Sequence, residues 1–246
     1  MARTMRNYER ETRDRVEFIR NAVSEAGARG VVFGNSGGKD CTLAGILCKR
    51  ACPDTVGIIL PCSSKRNYGE DMDDARVSAV QYGIETRVID LSAAFYAILD
   101  ALAPGAAFTE SVRINLPPRL RMAALYAVAA GENRLVAGTG NRSERHMGYF
   151  TKWGDGAYDF NPIGDLTVTE IYEFLAHLGA PERIVRKPPS AGLYEGQTDE
   201  GDMGVSYAAI DALLLDGVAS DHDRAIIERY HRISGHKRVE PRVYGG

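Results

Sequence analysis

The chain has 246 residues, 44% of them apolar and 26% charged, with a net charge of -3. It is long enough for one well-packed core, and its charge gives no reason to expect nucleic acid as a partner. No segment reaches the length of a membrane-spanning helix and the first residues are charged, so no membrane is expected and the expected location is the cytoplasm.

In chain order, residues 7–26 predict a charged amphipathic helix with Val16, Ile19, Ala22 and Val23 on its apolar side. The arginines that crowd this segment, and those after Arg224, read as solvated helix faces, except the last few. Val31-Val32-Phe33 is a short apolar run, followed by a Gly-rich turn and helical character over 39–51. Cys41, Cys48 and Cys52 share one face of that helix. With Cys62 they form no Cys-x-x-Cys pair, so small buried thiols are expected, not a zinc or redox site. A buried-strand run follows at Val56 to Leu60, with further strands at Thr86 to Ile89 and Leu135 to Ala137. Helices are predicted over 70–82, 92–102 and 118–130, the last opened by Pro117-Pro118. The alternation predicts an α/β fold, a doubly wound parallel sheet flanked by helices. Ligands then belong outside the strands' carboxyl ends, at the turns after Phe33, Leu60 and Ala137.

Beyond residue 140 the texture changes. Residues 139–165 are rich in Gly, Asn, Asp and aromatics and too long for a simple connection, which points to function. Helices are expected at 167–178, 206–216 and 221–234, and the Gly/Pro-containing stretch 187–204 is a candidate lid. No second domain is evident. The expectation is one domain over 1–246 with helical N- and C-terminal extensions.

The first chemical motif is Gly34-Asn35-Ser36-Gly37-Gly38-Lys39-Asp40-Cys41. A strand, a double-glycine turn and a helix N-terminus offer backbone N–H groups to an anion. It is not a Walker A loop, because the four-residue spacer is absent and Asp40 stands where Ser or Thr belongs. Asp40 would repel phosphate unless a metal bridged them, so it implies Mg²⁺. The string resembles the Ser-Gly-Gly-x-Asp-Ser signature of the ATP pyrophosphatases, which cleave ATP between the α and β phosphates and adenylate a substrate.

A second motif fills residues 138–160, from Gly138-Thr139-Gly140-Asn141 through Glu144 and Phe150-Thr151-Lys152 to Asp159-Phe160. With Asn115, Arg119 and Arg121-Met122, with Lys187 to Leu193, and with His236-Lys237-Arg238, it resembles the NAD synthetases. The resemblance implies an adenine-nucleotide α-hydrolase-like fold and ATP-dependent amidation of deamido-NAD to NAD by ammonia. An acyl-adenylate is the intermediate, with AMP and pyrophosphate released. It implies that Gly34, Ser36, Gly37, Gly38, Lys39, Asp40, Cys41, Thr139 and Ser190 contact ATP. Asp40 and Glu144 would hold Mg²⁺, and Arg119, Lys152, Asp159, His236 and Lys237 would bind deamido-NAD. Asp40, Glu144, Lys152 and Asp155 are the expected catalytic set. Singly, Glu144 reads as a surface carboxylate, Lys152 as a solvated charge and His236 as a tail residue; as a set they make a site. The family also implies a homodimer joined through helices near 92–130.

Two positions depart from the family pattern. Cys41 stands where Ser is usual. Val168 replaces a Lys that reaches the ATP phosphates, and Lys39 is expected to supply the missing charge. A tRNA sulfur-transfer enzyme of the same superfamily would want reactive cysteines and a basic face, and neither is evident. A nucleotide sensor that lost turnover is the non-catalytic alternative.

Overall fold

The computed structural model describes residues 5–62, 68–103, 105, 109–185 and 198–244. Among them, β1 (Gly30–Gly34), β2 (Thr55–Ile59), β3 (Glu85–Val88) and β4 (Arg134–Val136) form one parallel sheet in the order β3-β2-β1-β4. β1, β2 and β4 lie on apolar runs expected to form strands, whereas β3 lies at its expected place but is polar and partly exposed. The pleat sends alternate residues of β1 to opposite faces. Val31 and Phe33 join a core with α1 (Tyr8–Glu25), α2 (Lys39–Ala51) and α7 (Val168–His177). Val32 packs instead with Val56, Ile58, Val136 and Ala129, the last from α5 (Glu110–Glu132). Helices on both faces make the sheet doubly wound. α2 and α3 (Glu70–Tyr82) carry the chain from β1 out to β3, whereas α4 (Ser92–Leu102) and α5 return it to the other side of β1. The winding direction reverses between β1 and β4, and a crevice opens at such a reversal.

Two expectations need correcting. The helix predicted over 118–130 begins at Glu110, and Pro117-Pro118 lies inside it. Each proline removes an N–H and would normally end a helix. Here both are buried, so tertiary packing holds the helix through them. The arginines are also not all solvated faces. Arg15 donates to Glu11, Asp165 and the Pro162 carbonyl, which fastens α1 to the loop before α7, and Arg6, just ahead of α1, pairs with Glu170 of α7 itself. Arg238, among the last few set apart, donates to the Arg145 and His146 carbonyls at the end of α6 (Arg142–Met147).

The remaining chain forms a smaller layer. α6 packs with α10 (Tyr207–Asp216) and α11 (Asp221–Ile233) around Met147, Val168, Met203, Tyr207, Ile210 and Ile227. Short helix α9 (Asp199–Met203) completes it, whereas α8 (Glu182–Val185) packs on α7 and the first core. Most of the candidate lid, with Ser190, lies outside the described residues. Among the described residues no helix is long and apolar enough to cross a membrane.

Candidate active site

A cavity of about 530 Å³ opens at the carboxyl ends of the strands. Its lining includes Gly34, Leu60 and Gly138, so all three turns singled out in the sequence meet there.

The phosphate loop is shaped by its own side chains. Asn35 accepts at Oδ1 from the Gly37 N–H, at 3.2 Å, and donates from Nδ2 to the Ala75 carbonyl of α3. Gly37 has φ +74°, in the left-handed region, and a Cβ there would fall 2.3 Å from the Asp71 carbonyl oxygen. At Gly38 no side chain caps α2, which leaves the first-turn N–H groups of that helix for an anion. Cys41 is buried, 3.3 Å from Ser36 Oγ and 3.2 Å from the Gly38 carbonyl. Burial pushes its thiol up, so it braces the loop and is not a ready nucleophile.

Two carboxylates meet beside this loop. Asp40 lies in the first turn of α2, and Glu144 is held by the capping box that starts α6. Asn141 joins them. It donates from Nδ2 to Asp40 Oδ1 at 3.1 Å, and its backbone N–H donates to Glu144 Oε2 at 3.2 Å. Burial, reinforced by Asp40, raises the Glu144 carboxyl well above the usual carboxylate range. Glu144 is therefore no surface carboxylate. Lys39 completes the cluster, with Nζ 2.7 Å from Asp40 Oδ2 and 5.6 Å from the centre of the Tyr207 ring. Burial opposes its charge, but Asp40 and Glu144 overcome that and raise its pKa. Oxygen donors of this kind suit a hard divalent cation. Among the described residues no group of three or more His, Cys, Asp or Glu is disposed to hold a metal. A cation at Asp40 and Glu144 would thus complete its shell with water and phosphate oxygens, as Mg²⁺ does.

The predicted dinucleotide residues divide. Lys237 lines the cavity, while Arg119, Lys152, Asp159 and His236 are not among its lining residues; Asp155, expected in the catalytic set, lines it too. Arg119 Nε donates to the Lys152 carbonyl and Lys152 Nζ to the His236 carbonyl, so these three form a linked basic group. Asp159 accepts from Tyr126 Oη and from the Val136 N–H, which ties it to α5 and β4. Lys237 Nζ donates to the Gly148 and Phe150 carbonyls, and burial lowers its pKa. Asp155 accepts from the Thr151 N–H, and local desolvation raises its carboxyl. Thr139 lines the cavity beside Gly138 and Gly140.

Arg121 has no counterpart among the expected roles. It is part of the cavity wall, and its Nε donates to the Leu60 carbonyl at 2.9 Å, at the end of β2. A periodicity in the sequence marks it: Ile114, Pro118, Arg121 and Leu125 recur at helical spacing, and all four line the cavity. The same spacing turns Arg119 away.

Residues 11–241 match the model of the NAD synthase family. An NH(3)-dependent NAD(+) synthetase of Carboxydothermus hydrogenoformans is 45% identical over 240 residues, covering 96% of this chain and 98% of that protein. Two solved structures share the architecture over nearly the whole chain. An NMN synthetase from Francisella tularensis superposes with a TM-score of 0.92 at 35% identity, covering 98% of this chain and all of that one. An NAD+ synthetase from Burkholderia pseudomallei gives 0.78 at 31% identity, over 96% of this chain and 92% of that one.

Proposed function

The chain belongs to the NAD synthase family, and from that premise we propose that it amidates the nicotinate carboxylate of deamido-NAD with ammonia, at the expense of ATP. The observation that carries this reading is the convergence of an uncapped glycine loop, the half-buried Asp40–Glu144 pair and the cations Lys39, Arg121 and Lys237 on one cavity. The first-turn N–H groups of α2 and the loop glycines hold the phosphates, and Thr139 contacts the nucleotide beside them. The nicotinate carboxylate is already ionised, so its attack on the α-phosphate needs no general base. Asp40 and Glu144 would hold Mg²⁺, which when bound neutralises charge on the leaving pyrophosphate. Arg121 and Lys237 line the cavity as cations for a substrate bearing a pyrophosphate and a carboxylate, while the linked Arg119, Lys152 and His236 lie outside that lining and would meet only a part of the substrate that extends beyond it. Asp159, fixed between α5 and β4, suits a ribose hydroxyl. Asp155 lines the cavity as an exposed residue whose carboxyl is raised by local desolvation, and is suited to take the proton lost by the attacking nitrogen.

The test is product analysis. With ATP, Mg²⁺, deamido-NAD and an ammonium salt, AMP and pyrophosphate should form together with NAD; release of ADP would overturn the reading. Activity per total ammonium should rise with pH below the ammonium pKa, because only neutral ammonia is nucleophilic.

One observation favours a second reading. The NMN synthetase superposes more closely than the NAD+ synthetase, 0.92 against 0.78, at similar identity. Amidation of the nicotinate mononucleotide needs the same loop, carboxylates and ammonia. Comparing kcat/KM for the mononucleotide and the dinucleotide decides between them. We also infer a homodimer, supported by the apolar character of α5, in which only Pro117, Pro118 and Ala129 are buried.

A further inference from the structure

Lys39 occupies an unusual place for a lysine. It lies in the first turn of α2, where the helix dipole disfavours a cation. Its side chain is only 5% exposed, and burying an ammonium is costly unless it is paired. The partners are acidic: Asp40 Oδ2 is at 2.7 Å, and Glu144 adds its field. Tyr207 offers a ring face on another side, and Tyr172, one turn beyond Val168, stands nearby.

The Asp40 carboxylate is thereby used at both oxygens. Oδ1 accepts from Asn141 Nδ2 at 3.1 Å and Oδ2 from Lys39 Nζ. A metal ion that takes Asp40 and Glu144 together meets an ammonium already bonded to one of its ligands. The two cations repel strongly at such a distance in a buried setting. Lys39 has a flexible four-carbon stem and forms part of the lining of the same cavity as Ser36, Gly38 and Thr139. A displaced ammonium thus has the phosphate subsite within the same cavity to turn to.

We propose that Lys39 is an internal counter-ion: it fills the cation position beside Asp40 in the nucleotide-free protein, yields it to the divalent metal, and then neutralises the pyrophosphate. This rests on the reading of the cavity as an ATP-pyrophosphate site. The charge balance supports the exchange. A divalent ion beside Asp40 and Glu144 favours the ionised form of both carboxyls and adds positive charge just where a polyphosphate must be held. Without the nucleotide the ammonium competes with the metal, so metal and nucleotide should enter together.

The experiment is Mn²⁺ binding to the full-length protein without nucleotide, followed by electron paramagnetic resonance of the free ion, for wild type, Lys39→Gln, Lys39→Arg and Asp40→Asn. Lys39→Gln should bind Mn²⁺ about tenfold tighter than wild type, because one competing charge is gone. Lys39→Arg should stay weak, and Asp40→Asn should be weaker than wild type. With saturating Mg²⁺, Lys39→Gln should bind inorganic pyrophosphate more weakly than wild type, by calorimetry. Unchanged or weaker Mn²⁺ binding by Lys39→Gln overturns the proposal, as does Mn²⁺ binding indifferent to Asp40→Asn. Should Lys39→Gln not fold, Lys39→Met supplies the same comparison with a better-matched apolar side chain. Failure of the wild type to form AMP with any nicotinate nucleotide would sink the proposed reaction and leave the Mn²⁺ result standing.

Discussion

Gly37 and Gly38 sit side by side and are required for different reasons. At Gly37 the positive φ and the nearby Asp71 carbonyl leave no room for a side chain. Gly37→Ala should lower stability by about 1–3 kcal/mol through backbone strain, before the clash with α3 is counted. Gly38 is different. Its φ is -83° and a Cβ would meet only Ser36 Oγ, at 3.4 Å, so Gly38→Ala should leave the melting temperature nearly unchanged. The added methyl faces the phosphate subsite, and pyrophosphate affinity should fall. Melting curves and calorimetry on both variants test the split; equal loss of stability would refute it. Glu144→Gln makes a cleaner chemical probe. Its amide oxygen can still accept from the Asn141 N–H and keep the start of α6, but the charge is gone. AMP formation should be abolished with the circular dichroism unchanged, and near-normal turnover would remove Glu144 from the metal site. The double glycine, Asp40 and Glu144 were all readable in the sequence. The link through Asn141 was not, because it joins residues 101 positions apart, and only the fold brings them together.

Elements were legible where hydrophobic period and local caps agree. α2, α3 and α4 have the expected bounds, whereas α5 was read eight residues short at its start because Pro117-Pro118 carries a strong local stop signal. The cost of two missing N–H donors is offset by burial, which no local rule contains. What fastens the end of α5 to the sheet was also invisible. Glu132 accepts from Arg87 of β3 and from Arg134 of β4, and Arg134 also pairs with Asp54, just before β2. The two guanidiniums pull the Glu132 carboxyl down to about 2 from its ordinary 4.5. A depressed carboxylate stabilises the fold above its unfolded pKa, and that contribution is lost as pH falls through the folded value. The loss should therefore run from about pH 4.5 down to about 2. Glu132→Gln should be less stable than wild type at neutral pH and show a shallower decline across that window. An acid limb of unchanged steepness in the variant would show that Glu132 contributes nothing to it.

At the scale of the whole molecule, the doubly wound sheet follows from alternation of strand and helix, and the cavity follows from the reversal of winding between β1 and β4. The assembly is a separate matter, decided by which surface is left over. α5 is a long helix built largely of apolar residues, yet most of it remains partly open to solvent. Ala123, Ala127 and Ala130 are exposed along one helical stripe, and Tyr96, on the neighbouring α4, is 53% exposed. Small residues let a second copy approach closely, and a two-fold contact would set the same patch against itself. Sedimentation at catalytic concentrations should therefore give twice the 26.8 kDa chain mass. Ala127→Glu tests the surface directly. The position is exposed in the single chain, so a charge there should leave its fold intact, but in a self-paired interface it places two like charges together. The variant should sediment as a monomer and retain its circular dichroism spectrum. A wild-type monomer with full activity would refute the dimer, and a variant that stays dimeric would move the interface away from α5.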